Sequence, residues 1–338
     1  MPSLTITRLR PTPEQFVQTF GGAPALAHVD AGTFLEVFTE DCYAGWVRDE
    51  AELPSAMCPS PLRNPLTGPI YVNGAEPGDR LAVHFVRIEP ARNWAVSATV
   101  PSFGALTSTQ LTASLQPPLD ELVWRWTLDL EHGTCTFHAR DSDARATVPM
   151  DPMHGTVGVA PANGEVRSSL VPGTYGGNLD TPEIREGVTC YFGVNVEGAM
   201  LSLGDGHARQ GEGETCGVAV ECAMNTVLLI DVIKAQACAW PRIESDTHIM
   251  SIGVARPLED AFRIAQRDLV EWVSRRCRLS LMDAYQLVSQ LVESPIGNVC
   301  DAGYTSVAKV RKDWLPAHDA DPTHARLRAL ALDYLQDH

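Results

Sequence analysis

The sequence predicts an α+β fold that is mostly β, and three features of its pattern carry this prediction. Short runs of β-type residues, separated by turns rich in Gly and Pro, fill the first half of the chain. Helical spacing of apolar residues does not occur before about residue 255, and it begins after Pro257. The first half is therefore expected to form a β-sandwich or barrel, with long helices confined to the C-terminal part.

A second series of strands is predicted in the middle of the chain. Between residues 188 and 233 short β-type runs follow one another, and the last, Thr226 to Ile233, contains the longest apolar stretch, Val227 to Ile233. Asp231 interrupts this run, which is far shorter than the roughly 20 residues that a helix needs to cross a bilayer. It is predicted to be a buried strand. The Gly- and Pro-rich stretch 150–180 has little periodicity and is predicted to be a long loop that covers a site.

Three helices are predicted after Pro257. In the first, apolar residues between Ala261 and Val273 recur at intervals of three and four, which places them on one face. The second helix is expected to begin at Ser280, whose hydroxyl can accept a hydrogen bond from the backbone amide near Asp283. The third is predicted over about Thr323 to Leu335.

The overall charge narrows the range of partners. The 338 residues carry a formal net charge of -16, and Lys and Arg form no run that could neutralise phosphates. Nucleic acid and membranes are therefore not expected as partners. The N-terminal segment lacks the apolar core of a secretory signal, so the protein is expected to be cytoplasmic.

The cysteines are predicted to be free thiols. There are nine of them, which leaves one over in any complete pairing, and they form no Cys-x-x-Cys pair. In a reducing compartment most such residues act as small buried apolar side chains.

The most informative segment is an acidic, Gly-rich stretch at residues 204–214, between two apolar runs. It contains Asp205, His207, Glu212 and Glu214. If the flanks are strands, Asp205 and His207 project from one face, and Glu212 and Glu214 do so across the hairpin. Mixtures of imidazole nitrogen and carboxylate oxygen bind Zn²⁺ and similar cations. The spacing is also typical of a hairpin tip that faces water.

Several ordered motifs resemble the acetamidase/formamidase family. The resemblance spans about residues 25 to 310, nearly the whole chain, and one departure is Glu212, where the family is expected to carry Asp. The region of Asp301 also fits. The motifs are Gly158–Pro161, Val171–Thr181, Val196–Glu214 and Cys216–Glu221.

This resemblance implies an amidase that hydrolyses short aliphatic amides of the formamide and acetamide type. It also implies a jelly-roll-like β-sandwich over residues 1–150, joined to a mixed α/β part over residues 151–338 that carries most of the site. A homodimer or higher homo-oligomer is implied, and so is a divalent metal, with zinc expected and calcium as the alternative.

The predicted metal ligands are Asp205, His207 and Glu214, and Asp41 at the end of its strand could complete the set. Asp41 is also a candidate for the catalytic chemistry. It could equally be an N-cap or turn residue.

Two glutamates compete for the role of general base. Glu221 lies seven residues beyond Glu214, so strict alternation along a strand would turn it to the opposite face unless a bulge intervenes. Glu212 is the competing candidate, although it could be a solvated hairpin charge.

Four residues are candidates for binding the substrate. Asn178 and Asp180 could match the acceptor and donors of an amide, although turn chemistry explains them as well. His154 is isolated in the sequence and could be structural instead. Trp94 is expected in the pocket wall or the core.

The predicted mechanism is attack of water on the amide at a metal site. In well-studied zinc enzymes the cation lowers the pKa of bound water to about 7, and a neighbouring Glu can carry the proton to the leaving ammonia. Two alternatives stay open. One is a thiol amidase that uses Cys42 or Cys216, and the other is a non-enzymatic β-sandwich module with a structural Ca²⁺ site.

Overall fold

The computed structural model describes residues 6–59, 63–107, 115, 117–316 and 321–337. Within these ranges the chain is mostly β. The strands are β1 Ile6–Leu9, β2 Thr19–Phe20, β3 Ala27–Val29, β4 Phe34–Thr39, β5 Leu66–Val72, β6 Arg80–Pro90, β7 Trp94–Thr99, β8 Leu122–Asp129, β9 Thr134–His138, β10 Arg145–Pro149, β11 Met153–Gly158, β12 Arg167–Ser168, β13 Gly176–Asn178, β14 Thr189–Gly193, β15 Leu201–Arg209, β16 Val220–Glu221, β17 Met224–Ile233, β18 Arg242–Glu244, β19 His248–Ala255, β20 Ile296–Asn298 and β21 Tyr304–Arg311.

The long helices lie in the C-terminal part of the chain, as predicted, although β20 and β21 come before the last of them. The long helices are α2 (Leu258–Cys277), α3 (Leu281–Leu291) and α4 (Thr323–Asp337). A single helical turn, α1 (Pro54–Met57), lies much earlier in the chain. The hydroxyl of Ser280 accepts a hydrogen bond from the amide of Asp283 at 3.1 Å and caps α3. The predicted capping arrangement is therefore confirmed.

Two large sheets dominate the fold. The first has the order β1-β4-β17-β6-β14-β18-β19-β21-β20, and in it only the pair β1–β4 is parallel. The second runs β10-β9-β8-β7-β16-β15-β11-β13, with β5 paired to both β15 and β3. Both sheets combine strands from either side of residue 150, so the boundary placed there stays a prediction.

The sheets pack face to face, and helices cover the other side of the first sheet. Alternate residues of β6 show this arrangement: Leu81, Val83 and Phe85 belong to the core between the sheets, whereas Ala82 and Val86 contact the layer that contains α4. The α2 helix packs on β19 and β21 through a separate apolar cluster. The predicted α+β, mostly β architecture with C-terminal helices is confirmed.

The stretch 150–180, predicted as a loop, contains three strands, and two of them, β11 and β13, are the last two in the order of the second sheet. The prediction was wrong here because glycines interrupt the apolar alternation of β11 and β13. Gly158 and Gly176 lie so close that a Cβ atom on Gly176 would come within 2.7 Å of the Cα of Gly158. The sheet needs glycine at this close approach of two backbones.

Two further predictions concern the whole chain. All nine cysteines are free, and seven of them are buried. In the part of the chain that the structure describes, no helix is long and apolar enough to cross a membrane.

Candidate active site

The strand β15 changes its neighbour halfway along one edge. Residues Leu201 to Gly204 pair with β5, and from His207 onward the same edge pairs with β16. The other edge pairs with β11 throughout. Asp205 lies at the change of neighbour and has a backbone φ of 57°. The fork leaves a gap between β5 and β16, and the side chains of Asp205 and His207 lie beside it.

A cavity of about 190 Å³ occupies this gap, and we call it the carboxylate cavity. One side of the cavity is lined by Cys42 and by two residues just before β5, Arg63 and Asn64. Its other polar walls are formed by five acidic side chains, all of them buried. These are Asp180, Asp205, Glu214, Glu221 and Asp301.

His207 lies between two of these carboxylates. Its Nε2 is 3.4 Å from Oδ1 of Asp205 and 3.3 Å from Oε1 of Glu221, which is its direct partner across the β15–β16 pair. The donor atoms of His207, Glu214 and Glu221 all lie within 4.8 Å of one another, and so do those of Asp180, Asp205 and His207. The imidazole is therefore common to two clusters with the spacing of metal ligands.

Gln210 fixes the tautomer of His207. The Nε2 of Gln210 donates to the carbonyl oxygens of Asp180, at 2.6 Å, and Gly297, at 3.0 Å. Its Oε1 must then be the atom that faces Nδ1 of His207 at 3.0 Å, so this Nδ1 carries a proton and donates. In the neutral ring, the lone pair on Nε2 points toward the carboxylates, as in a histidine that binds a metal.

Asn178 holds two of the acidic side chains in place. Its Nδ2 donates to Oδ2 of Asp180 at 2.6 Å and to Oδ2 of Asp301 at 2.9 Å. Its Oδ1 accepts a hydrogen bond from Asn64, and the single hydroxyl hydrogen of Thr156 is shared between this Oδ1 and Oδ2 of Asp205, which is 3.0 Å away. The amide of Asn178 is thus fully used inside the protein: it binds two carboxylates directly and is linked to a third, that of Asp205, through Thr156.

The backbone itself is strained where it presents the acids. Asp180, Asp205 and Glu214 all have positive φ, at 42°, 57° and 43°. Such conformations are uncommon for residues other than glycine, and they cluster at functional sites. Gly155 forms the floor beside them, because a Cβ atom there would lie 2.3 Å from Oδ1 of Asp180 and 2.5 Å from Oδ2 of Asp205.

Burial of so many acids shifts their titration. Burial raises the pKa of Glu221 to about 8 and that of Asp301 to about 6. It also raises the pKa of Asp180 and of Glu214 well above the usual range, with neighbouring carboxylates adding to the effect.

The pKa values of the two strand residues move the other way. For Asp205, burial raises the pKa, but the nearby His207 outweighs it and lowers the pKa. Burial alone would lower the pKa of His207, but Glu221 and Asp205 raise it to about 10. A positive charge in this position is therefore strongly favoured.

Two oxygens in the carboxylate cavity lack a hydrogen-bond partner among the described atoms. They are Oδ1 of Asp180 and Oε2 of Glu221, and both are fully buried. An unpaired buried carboxylate oxygen costs free energy, so each such atom requires an explanation. A ligand that supplies positive charge or a proton would satisfy both.

Solved structures with this fold and a similar sequence are acetamidases. An acetamidase from Yersinia enterocolitica is 38% identical, with a TM-score of 0.86 over 93% of this chain and 94% of that one. The chain belongs to the acetamidase/formamidase family. The model of this family matches residues 102–260. A predicted acetamidase/formamidase from Thermoanaerobacter tengcongensis is 30% identical, with a TM-score of 0.80 over 92% of this chain and 97% of that one.

A curated relative agrees with this assignment. It is the acetamidase of Mycolicibacterium smegmatis, which is 29% identical over 50% of this chain and 53% of its own length. The match thus spans about half of that relative. The family resemblance predicted from the sequence is confirmed, and so is the amidase class of enzyme that it implied.

Six of the predicted site residues, all of them acidic or polar, lie at the carboxylate cavity or at its rim. Asp205, His207 and Glu214 lie there, and so do Asn178 and Asp180. Glu221 does so as well, although strict alternation from Glu214 disfavoured it. The alternation does not apply because residues 210–219 form a loop between β15 and β16.

Three predicted residues lie elsewhere. Glu212 is exposed on the loop after β15 and lies outside the cavity. Both ring nitrogens of His154 are used, Nδ1 as donor to the Gly204 carbonyl and Nε2 as acceptor from Thr226, and burial lowers the pKa of the ring to about 4. Trp94 lies under the guanidinium of Arg92 at 4.1 Å and does not line the cavity.

Asp41 has a structural environment rather than that of a metal ligand. It is completely buried, its Oδ1 accepts from the amides of Tyr43 and Gly45, and its Oδ2 pairs with Arg92. Both oxygens are therefore in use. They fix the turn that brings the neighbouring Cys42 to the cavity.

Sequence reasoning missed the residues that hold the site together. Gln210, Asn64 and Thr156 are ordinary polar residues without a distinctive pattern. Gly155 showed no signal either. Asp301 was predicted only through the family resemblance. In the structure Arg256 fixes the loop of Asp301, because it donates to the carbonyls of Cys300 and Asp301.

Replacing Asp41 with Ala is expected to destabilise the protein by about 3 kcal/mol, because Arg92 would keep a partly buried charge without its main partner and two buried amides would lose their acceptor. The free energy of unfolding in urea measures this. The exposed neighbour Glu50, changed to Ala, should shift it by no more than about 0.5 kcal/mol. An Asp41→Ala protein that is as stable as the wild type but has lost a bound metal would show that Asp41 is a ligand instead.

Proposed function

We propose that this protein hydrolyses short linear amides of the formamide and acetamide type to a carboxylate and ammonia, with a divalent metal ion bound in the carboxylate cavity. The observation that carries the proposal is the convergence of Nε2 of His207 with the buried carboxylates of Asp205 and Glu221, in a cavity where two further carboxylate oxygens have no hydrogen-bond partner among the described atoms. Family membership supports the same class of reaction.

The size of the cavity supports a small substrate. Its volume of about 190 Å³ is below the range of roughly 300–1,000 Å³ that is typical for pockets of drug-sized ligands. It would hold a few water molecules or an amide with a short chain. Large peptides or sugars would not fit among the acidic groups.

The side chains present suit a divalent cation. Asp180, Asp205 and His207 offer donor atoms within 4.8 Å of one another, and Glu214 lies within the same distance of His207. Zinc binds imidazole nitrogen together with carboxylate oxygen, and calcium is the alternative because oxygen donors dominate. A bound cation would polarise the amide carbonyl and lower the pKa of water in the site.

Glu221 is the proposed general base. Its Oε1 is held by the amide of Ala219 at 3.0 Å, while Oε2 is unpaired and faces the cavity. Burial raises its pKa to about 8, which lies near neutral pH, where a catalytic carboxylate can both accept and release a proton. It would accept the proton of the attacking water through Oε2 and return it to the departing nitrogen.

Removal of metal is expected to abolish ammonia release from acetamide. Dialysis against a strong chelator should remove activity, and added Zn²⁺ should restore it. His207→Ala should lower the ratio of metal to protein measured by elemental analysis from about one toward zero, because the only nitrogen donor of the cluster is lost. Full turnover by verified metal-free protein would refute the metal-dependent form of the proposal.

The two glutamates considered as bases should differ sharply. Glu221→Gln should lower kcat for acetamide by about 10²–10⁴-fold, since a neutral amide cannot accept the proton. Glu212→Gln is the matched control, and because Glu212 is exposed it should leave kcat within about twofold. Equal losses in both variants, or a loss in Glu212→Gln alone, would contradict the assignment.

The thiol route has one observation in its favour. The Sγ of Cys42 lies within 4.8 Å of Asp205 and Glu221 donors, so a nucleophile and a base are adjacent. Burial and these carboxylates, however, raise the pKa of the Cys42 thiol well above its usual range. This disfavours the thiolate, which is the reactive form. Cys216 is exposed and lines a different cavity.

Cys42→Ser separates the two routes. If water attacks the amide directly, the serine variant should retain kcat within about fivefold, because the side chain only lines the cavity. Mass spectrometry of the wild type during turnover should show no acyl adduct. A trapped acyl group on Cys42, together with complete loss of activity in the variant, would replace the water mechanism with the covalent one.

A further inference from the structure

A second, larger cavity lies beside the carboxylate cavity. Its volume is about 570 Å³, three times that of the inner space, and it is open to the surface. It lies between the loop after β7, the loop after β15 and the strands β8 and β10. We call it the outer groove.

The two spaces share walls. Phe103, Glu214 and Val218 line both of them. Phe103 covers Gly217 so closely that a Cβ atom there would come within 2.5 Å of the ring. The amide of Ala105 donates to the carbonyl of Thr215 at 2.8 Å, which ties the two loops together. The outer groove thus adjoins the proposed catalytic site, and Phe103, Glu214 and Val218 lie between the two spaces.

The floor and rim of the outer groove are mainly apolar. Trp126, Val148 and Val220 form part of the floor. Leu106 and Leu119 stand at the rim and are 84% and 54% exposed. Apolar surface of this kind, beside a polar reaction site, is typical of a pocket that accepts an apolar part of a ligand.

We propose that the outer groove binds an alkyl chain attached to the amide, so that this protein prefers amides with a chain of about four to six carbons over acetamide. This inference rests on the proposed function. The acidic walls of the inner cavity take the amide group, and Phe103 and Val218 guide the chain outward. The chain can extend from the carbonyl carbon, with ammonia as the leaving group, or from the nitrogen, with an alkylamine as the leaving group, since the groove offers the same apolar contacts to both.

The wild-type protein should show the preference in its kinetics. From acetamide to hexanamide, KM should fall by about threefold for each methylene group that lies on the groove, because each leaves water for an apolar surface. A parallel series of N-alkyl acetamides distinguishes the two directions of the chain. A KM for hexanamide and for N-butylacetamide that is no lower than that for acetamide would overturn the inference.

Substitutions in the groove test its location. Val148→Trp fills the floor, and Leu119→Asn removes an exposed part of the rim without disturbing the core. Each should raise the KM of the preferred long amide by about tenfold and leave that of acetamide within twofold. The controls are Thr147→Trp, on the other face of β10, and Leu130→Asn, an exposed leucine outside the groove.

The outcomes separate this inference from the proposed function. Equal changes for acetamide and hexanamide, or equal changes in variants and controls, would overturn the groove while leaving amide hydrolysis intact. If no amide is hydrolysed, the proposed function fails. Calorimetric titration with hexanamide then decides the groove alone: binding that Val148→Trp weakens about tenfold supports it, and no binding overturns it.

Discussion

The concentration of buried negative charge in the carboxylate cavity is the constraint on which the site depends. Five carboxylates line a space of about 190 Å³, and two of their oxygens have no partner among the described atoms. Like charges in a medium of low dielectric repel strongly, so not all of these groups can be ionised without a compensating charge. Protons or a cation must supply it. The imidazole of His207, between Asp205 and Glu221, is the point at which either would be held.

The fold maintains this arrangement by taking the acidic residues from several segments and holding each one in place. The fork at β15 opens the space, and strands or loops from four parts of the chain each contribute one or two acids. Asn178 and Thr156 fix the acids through hydrogen bonds, and Gly155 leaves room that any side chain would fill. The positive φ at three of the acidic residues is the local strain that the surrounding sheet supports.

Much of the fold could be predicted from the sequence because its signals are local. The helical period after Pro257 and the cap at Ser280 depend on residues within one or two turns. The pair Asp205 and His207 was predictable for the same reason, since a strand places alternate residues on one face. The alternation does not apply to Glu212 and Glu214, because β15 ends at Arg209 and the following loop turns the two side chains in different directions.

The remaining parts of the site depend on contacts between distant segments. Glu221 faces His207 only because β16 pairs with β15 in one register. Asp301 reaches the cavity from a loop after β20, and Gln210 acts through two backbone carbonyls that no side-chain pattern reveals. Asp41 looked like a ligand in the sequence, yet Arg92 from the turn between β6 and β7 pairs with it. Such residues become identifiable only once the topology is known.

X-ray diffraction with anomalous scattering at the zinc edge, on crystals of protein purified in the presence of Zn²⁺, tests the central claim most directly. We expect one strong anomalous peak inside the carboxylate cavity, next to Nε2 of His207. An empty cavity with protons shared among the acids, in crystals of protein that is active in solution, would contradict the account.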